Sequence, residues 1–358
     1  VSSERLNKRG IRMLNEAAKS TEPFFLFLHY YDVHYDYLPE RADPILLSRF
    51  DPGYGGSMTG QDWHGNPDVR NTDPPYERKI SRRDLQHVEA LYDGEIYWVD
   101  FHIGQILAEL RRLDLEKNTV VAIVSDHGDE FFDHGSLGHR TSLFPELTKM
   151  VFLLHKPGEN ASIKRSAVMT GMMDVAPTLL DALGLNKWPQ AMGRSNLSSS
   201  DLDSESQGVF SHLFVNTPQG LRLIETWRGS HFTVIRPFTI DPNDQTHIRL
   251  VQKLFPDQSP AYFVYDRMQD SQELKPIPPQ SPAYKHAIQK MALAFQARRV
   301  RREKVPRSPF ESRLSSMVQG SQEQQELQAL GYADATSPLQ NRVQPLPMAP
   351  LPVPIIPQ

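Results

Sequence analysis

Two adjacent side chains with the character of metal ligands follow an apolar segment near the middle of the chain. The run Ser125–Glu130 reads SDHGDE and comes directly after Thr119–Val124, which has the composition of a buried strand. Asp126 offers an anionic oxygen and His127 a neutral imidazole nitrogen, and such a pair suits a divalent cation. Ligands of open α/β sheets bind where loops leave the carboxyl ends of strands. The run therefore predicts a metal site at Asp126 and His127, against the alternative of a polar surface loop.

A second polar segment follows another apolar run close to the start of the chain. The run HYYDVH occupies residues 29–34 and comes after Phe24–Leu28. His34 has the chemistry to donate a hydrogen bond to a substrate anion or to protonate a leaving oxygen. The alternative is a structural histidine packed among neighbouring tyrosines. Because His34 and Asp126 both follow predicted strands, we expect them to face one cleft.

Composition excludes several kinds of site and partner. The 358 residues include no cysteine, which excludes disulfides, thiolate metal ligands and a cysteine nucleophile within this chain. The formal net charge of -4 gives no overall basic field, so no nucleic-acid partner is predicted. No apolar run approaches the roughly 18 residues of a membrane span, so no span is predicted in this chain.

The elements that must position these residues alternate between helices and short apolar strands. Apolar residues at helical spacing predict helices at 3–19, Ser81–Leu113 and Met173–Leu183. Short apolar runs, rich in aromatic or β-branched residues, predict strands at Phe24–Leu28, Thr119–Val124 and Met150–Leu154. Strands separated by helices predict an α/β fold in which a mostly parallel sheet is flanked by helices.

The character of the sequence changes after about residue 196, and four regions are predicted. An α/β domain covers 1–197, and a linker rich in Ser and Asp covers 198–207. Short β-type runs and a helix predict a small C-terminal antiparallel α+β subdomain over 208–333. The segment 334–358 is rich in proline and is predicted to be a disordered tail.

The loop at Asp126 resembles the metal-binding loop of a known enzyme family. SDHGDEF, followed by HG at residues 134–135 and GH at residues 138–139, is similar to the loop of sulfatases, the formylglycine-dependent branch of the alkaline phosphatase superfamily. Six further stretches resemble the family in order: PFFLFLHYYDVHYDY, LYDGEIYWVDFHIGQIL, LFPELTKMVFLLHKPG, DVAPTLLDALGL, YFVYDRMQD and LQALGYA. The resemblance runs from about residue 1 to 333 and implies an alkaline-phosphatase-like fold.

The resemblance implies a metal site in the same loop. Asp126 and His127 would be two of the protein ligands of one divalent metal ion. Calcium is favoured because the family's site is rich in oxygen, and manganese or zinc is the alternative because His127 supplies a nitrogen. Three neighbours are implied to support the loop without binding the ion: Asp129, Glu130 and His134.

The resemblance also implies that two histidines act on the substrate. His34 would bind the sulfate group or protonate the leaving group. His139 stands where the family often has a lysine that contacts the sulfate, so both histidines are implied to be catalytic and substrate-binding residues. A histidine at residue 139 is a departure from the lysine that the family often has there.

The sequence departs from the family at the nucleophile. Sulfatases carry a pair of adjacent Asp ligands and a nucleophile motif, Cys or Ser followed by x-Pro-x-Arg, and neither is recognisable here. We expect this chain to be the C-terminal portion of a longer enzyme, without its N-terminal nucleophile segment. Formylglycine is then expected only in that missing segment, and the isolated chain is expected to be inactive.

Three functions are compatible with these residues. The first is a sulfatase that hydrolyses sulfate esters, with a sulfated small molecule or glycan as its substrate. The second is a phosphate or phosphonate ester hydrolase of the same superfamily, because both kinds of anion are tetrahedral. The third is a non-catalytic remnant or binding protein, which the missing nucleophile favours. The resemblance also favours a periplasmic or extracellular location.

Overall fold

Helices and short strands make up the part of the chain that the computed structural model describes, which comprises residues 2–34, 36–39, 45–61, 80–135, 137–139, 142–158, 165–166, 168–197, 208–217, 220–239 and 262–304. Its helices include α1 (Ser2–Ala17), α2 (Ile45–Phe50), α3 (Arg82–Arg112), α4 (Pro145–Thr148), α5 (Val175–Ala182) and α6 (Pro282–Lys304). Its strands include β1 (Val121–Val124), β2 (Glu130–Phe131), β3 (Leu137–Gly138), β4 (Phe152–His155), β5 (Val209–Thr217), β6 (Gly220–Arg228), β7 (Phe232–Thr239) and β8 (Phe263–Asp266). None of the helices in these ranges has the length and apolar character needed to cross a bilayer.

The two long helices of the first half pack against each other. Leu14 of α1 shares a buried cluster with Ile106 and Leu110 of α3. The hydroxyl of Ser81 caps α3, because it accepts a hydrogen bond from the backbone N–H of Asp84 at 3.0 Å. Both helices match their predicted ranges within two residues at each end. Apolar stripes and caps are local signals, which is why the sequence located these helices well.

The strand pair that carries the predicted metal loop is antiparallel, which corrects the prediction of a mostly parallel sheet. β1 pairs with β4, so that Val124 lies opposite Phe152. Every strand pair within the described residues is antiparallel. A parallel return usually crosses over through a long α-helix, whereas the only helix in the described part of the segment between β1 and β4 is the four-residue α4. The chain therefore turns back beside β1 instead of crossing over the sheet.

The apolar run Phe24–Leu28 pairs with no strand among the described residues, which corrects a second prediction. Leu26 and Leu28 pack against the cluster between α1 and α3. Phe25 and Phe27 point the other way and are 85% and 76% exposed. The run thus has the side-chain alternation of a strand, with only one side covered by described residues.

The predicted C-terminal antiparallel sheet is present. Its strand order is β5-β6-β7-β8, and each neighbouring pair is antiparallel. Trp227, Val234 and Val264 of the sheet form a buried cluster with Ala287 and Met291 of α6. The helix therefore covers one face of the sheet and buries the apolar side chains that the short β-type runs supplied.

The chain divides into two compact units, Val1–Val300 and Arg301–Gln358. The predicted linker at 198–207 and the predicted tail at 334–358 lie outside the described residues. The four regions proposed from the sequence, with boundaries at 197, 207 and 333, therefore stay predictions.

Candidate metal and anion site

Backbone and side-chain hydrogen bonds fasten the loop after β1 to the segment before β4. The hydroxyl of Ser125 accepts a hydrogen bond from the N–H of Val151 at 2.8 Å, and the N–H of Ser125 donates to the carbonyl of Val151 at 3.1 Å. Three residues further along the loop, the N–H of Gly128 donates to the carbonyl of Leu147 at 3.0 Å. These contacts hold residues 126–130 at the carboxyl end of β1, where the sequence predicted a ligand site.

Gly128 allows this loop to approach α4 closely. A Cβ atom placed on Gly128 would lie 2.1 Å from the carbonyl oxygen of Glu146, far inside van der Waals contact. The neighbouring atom belongs to the backbone and cannot turn away as a side chain would. The glycine of the SDHG run is therefore required by a close contact between two backbone segments.

Gly128→Ala is expected to destabilise the fold by about 1–3 kcal/mol, because the added methyl group must push the loop away from α4. The measurement is the free energy of unfolding from urea denaturation. Gly104→Ala is the matched control, since a Cβ atom at Gly104 meets no atom within 4 Å. Equal losses of stability in the two variants would contradict the close-contact argument.

Two histidines of one segment and a third from near the start of the chain converge beside this loop. The ring centroids of His127 and His139 are 4.3 Å apart, and those of His34 and His139 are 5.3 Å apart. Asp126 lies next to them, with 3.7 Å between its Oδ2 atom and Nε2 of His127, and its side chain is 61% exposed. The structure thus brings together the four residues to which the sequence assigned metal and anion chemistry, while their individual roles stay predictions.

The ring of His139 is oriented by Asp129, which is itself held by Tyr37. The Nδ1 atom of His139 lies 2.6 Å from Oδ1 of Asp129, and Nδ1 carries the proton because a carboxylate can only accept. The hydroxyl of Tyr37 donates to Oδ2 of the same carboxylate. Burial raises the pKa of Tyr37, and the charge of Asp129 raises it further, so Tyr37 acts as a neutral donor. These contacts fix the tautomer and the ring plane of His139.

The position of His34 is set by the start of α1 and by an aromatic neighbour. The carboxylate of Asp32 caps α1, accepting hydrogen bonds from the backbone N–H groups of Ser2 at 2.9 Å and Ser3 at 2.7 Å. Burial alone would raise the pKa of Asp32, but the hydrogen bonds from Ser2 and Ser3 lower it overall, which favours the charged form of the cap. The ring of Tyr31 stacks on that of His34 with 4.6 Å between centroids. The helix cap and the stacking therefore hold the segment that ends in His34.

A grouping that the sequence did not predict includes Asp129. Ligand atoms of His127, Asp129 and His139 all lie within 4.8 Å of one another and could together hold a metal ion. The sequence assigned Asp129 to loop support and His139 to the substrate. The spacing of two residues between His127 and Asp129 was the sequence signal that could have indicated this grouping. The approach of His139 depends on the β2–β3 pair, in which Glu130 lies opposite Gly138, and no sequence pattern indicated that pair.

The other two residues assigned to loop support lie beneath the loop. Glu130 is fully buried, and it accepts hydrogen bonds from the backbone N–H of His134 at 3.0 Å and from the hydroxyl of Ser142 at 3.2 Å. The Nδ1 atom of His134 lies 2.6 Å from Oε1 of Glu146 in α4. These contacts suit residues that stabilise the loop, and their roles stay predictions.

Comparison with known proteins finds relatives for the first half of the chain. A family model described as Sulfatase matches residues 1–185. Arylsulfatase K of Bos taurus is 27% identical over 135 residues, which cover 38% of this chain and 25% of that protein. The matched part of the chain thus spans about a quarter of the length of the curated relatives.

Two solved structures share the fold over most of the chain. A candidate sulfatase of Bacteroides fragilis, yidJ, superposes with a TM-score of 0.61 at 18% identity, covering 85% of this chain and 61% of that one. The phosphonate monoester hydrolase SpPMH of Silicibacter pomeroyi gives a TM-score of 0.55 at 19% identity, covering 85% and 60%. At these identities the likeness shows the fold alone, and it agrees with the alkaline-phosphatase-like fold implied by the sequence.

Proposed function

This chain belongs to the sulfatase family, and we propose that it forms part of an enzyme that hydrolyses sulfate esters with the help of a divalent metal ion. The observation that carries the proposal is the convergence of His34, His127 and His139 beside Asp126. A sulfate ester bears negative charge on its non-bridging oxygens, and donors fixed around those oxygens stabilise the transition state. Imidazole groups and a metal ion in one cleft meet this requirement.

Asp126 and His127 are the proposed ligands of the metal ion. A carboxylate oxygen and an imidazole nitrogen together form a donor set that divalent ions accept. Asp129 fits a supporting role better, because its two oxygens already accept from Tyr37 and His139. A bound ion would supply positive charge to the non-bridging oxygens. The oxygen-rich site of the family favours calcium, whereas the imidazole of His127 favours manganese or zinc.

His34 and His139 are the proposed anion-binding and proton-donating groups. The imidazole of His139 is held in one orientation by Asp129, and that of His34 is stacked on Tyr31. Fixed rings of this kind can hold a sulfate oxygen and protonate the leaving oxygen without a further loss of side-chain entropy. Both side chains would therefore contact the same anion as the metal ion.

The nucleophile is proposed to come from outside these 358 residues. The chain has no Cys, and no Ser is followed by x-Pro-x-Arg, the motif in which the family's formylglycine forms. Activity is therefore expected only when such a motif is present together with these residues. The proposed substrate is a sulfated small molecule or glycan, and the proposed location is periplasmic or extracellular, as the family resemblance implies.

Residues 1–358 alone are expected not to turn over an aryl sulfate, because general acid–base help without a nucleophile contributes only about 10²–10⁴-fold. The same chain joined to a segment with an Asp pair and a formylglycine motif is expected to hydrolyse it. In that longer protein, His139→Ala is expected to lower kcat about 100-fold or more. The measurement is the release of phenol from an aryl sulfate, with the exposed His231→Ala as the matched control.

Two results would overturn parts of this proposal. Turnover by residues 1–358 alone, abolished by Asp126→Ala, would show that the chain contains its own nucleophile. A completed protein that binds an aryl sulfate without cleaving it would instead favour a non-catalytic binding protein.

A phosphate or phosphonate ester hydrolase is the second candidate function. SpPMH, named as a phosphonate monoester hydrolase, shares the fold of this chain. A tetrahedral phosphonate fits the same arrangement of imidazoles and metal ligands. The ratio of kcat/KM for an aryl sulfate and an aryl phosphonate monoester separates the two candidates, and we expect the sulfate to be preferred.

A further inference from the structure

Residues 126–135 contain the predicted metal ligands and are called the metal loop. His134 lies where this loop meets the C-terminal part of the structure. Its Nδ1 atom is 2.6 Å from Oε1 of Glu146, and its Nε2 atom is 3.1 Å from the backbone carbonyl oxygen of Glu273. The ring stacks on Phe144 with 3.6 Å between centroids and only 3° between the ring planes. The side chain is 9% exposed, so water has little access to either nitrogen. Glu273 is 139 positions away in sequence, which makes this a contact between distant segments.

Both neighbours of the ring can only accept hydrogen bonds. A neutral imidazole carries one N–H group and can satisfy one of the two acceptors, whereas an imidazolium carries two and satisfies both. We propose that His134 is held in the doubly protonated form and, in that form, fastens the metal loop to the Glu273 turn. His134 is thus a positioning residue, which acts on the site through the loop and does not touch the substrate.

The charged groups around the ring support this form. The carboxylate of Glu130 in β2 accepts from the backbone N–H of His134, and that of Glu146 in α4 accepts from the ring. Arg228 of β6, which lies beside Glu273, is paired with that carboxylate, so its charge is compensated. Burial alone would lower the pKa of His134, but the hydrogen bond and charge of Glu146, with smaller contributions from Glu273 and Glu130, raise it overall.

The contact with Glu273 connects the loop to a buried group of hydrogen-bonded side chains. The side chain of Glu273 is buried and accepts from Arg228 at 3.0 and 3.1 Å and from the hydroxyl of Thr233 at 2.6 Å. Arg228 also donates to the carbonyl of Leu143 at 2.5 Å, next to the stacked ring of Phe144. This part of the chain is therefore held at two described residues, at Leu143 by Arg228 and at His134 by the carbonyl of Glu273.

The sign of the pH dependence follows from the raised pKa. The contribution of His134 to stability is fully present below the pKa of an unfolded histidine, about 6.5. It is lost as the pH rises through the higher pKa of the folded state. The loop should therefore be fastened below about pH 6.5 and should loosen as the pH rises through the raised pKa of His134 in the folded state. This inference does not depend on the reaction proposed above, because its consequences are visible in the absence of substrate.

The test measures the pKa of His134 in the whole chain by deuterium exchange of the imidazole C2–H group, followed by mass spectrometry of peptides. We expect a value above about 6.5 in the wild-type protein and a clear decrease in Glu146→Gln, which removes the charge beside Nδ1. Glu225→Gln is the matched control, because it removes a carboxylate 2.8 Å from another histidine, His212. It should leave the pKa of His134 unchanged.

A second readout follows the loop itself. Amide exchange of residues 126–135, corrected for the intrinsic pH dependence, should increase about tenfold as the pH rises through the pKa of His134. His134→Gln should lose this pH step, because the glutamine amide does not titrate in this range. A wild-type pKa at or below about 6.5 would overturn the proposal. Loop protection that does not change as His134 titrates would also overturn it, and both wild-type measurements remain decisive even if the variants fold poorly.

Discussion

Glu273→Ala is expected to destabilise the folded protein by about 3–5 kcal/mol, because it leaves the Arg228 guanidinium buried without its ionic partner. Arg228 is 8% exposed and Glu273 is 1% exposed. The guanidinium donates to both carboxylate oxygens of Glu273, and no solvent is available at this depth to replace them. Thr233 loses an acceptor at the same time. The measurement is the free energy of unfolding from urea denaturation monitored by circular dichroism.

Two further variants separate the buried charge from other effects. Glu273→Gln keeps the length of the side chain and one acceptor oxygen, and it should cost less than alanine because part of the hydrogen bonding survives. Glu4→Ala breaks the exposed pair with Lys8 and should change stability far less, since water screens both charges. If Glu273→Ala proved as mild as Glu4→Ala, Arg228 would have to find another partner, and its proposed role in holding the loop would be wrong.

The parts of the fold that sequence reasoning located are those specified by local signals. α1 and α3 follow from apolar stripes, and the start of α3 follows from Ser81, which caps the helix three residues before Asp84. β1 follows from the run of β-branched residues before Ser125. The loop at Asp126 and His127 could be singled out for the same reason, because it follows a recognisable strand, while its metal binding stays a prediction.

The parts that sequence reasoning missed depend on contacts between distant residues. The antiparallel return of β4 beside β1 is set by how the intervening segment packs, which a strand pattern does not encode. Tyr37 and Asp129 are 92 positions apart, so the local sequence around either residue does not predict their hydrogen bond. The contact between His134 and Glu273 spans a still longer interval. These contacts orient the site, and a single sequence does not reveal them.

Asp126→Ala and His127→Ala are each expected to weaken Mn²⁺ binding by about 100-fold or more, because each removes a proposed protein ligand from a site with few ligands. A change of that size corresponds to about 2.7 kcal/mol of binding free energy. Asp129 and His139 are hydrogen-bonded to each other, so we expect His139→Ala to weaken binding by less than about tenfold. The measurement is the loss of the free Mn²⁺ signal in electron paramagnetic resonance during a titration of residues 1–358 with the ion.

The comparison between His127→Ala and His139→Ala distinguishes the two possible ligand sets. If both variants lose Mn²⁺ equally, the ion is held by His127, Asp129 and His139, whose ligand atoms lie within 4.8 Å of one another. His212→Ala is the matched control, because His212 contacts Glu225 on the C-terminal sheet, away from the loop. Competition by Ca²⁺ and Zn²⁺ then ranks the ions. Displacement of Mn²⁺ by Zn²⁺ at far lower concentration than by Ca²⁺ would show that imidazole nitrogen, and not carboxylate oxygen alone, governs the choice of ion at this site.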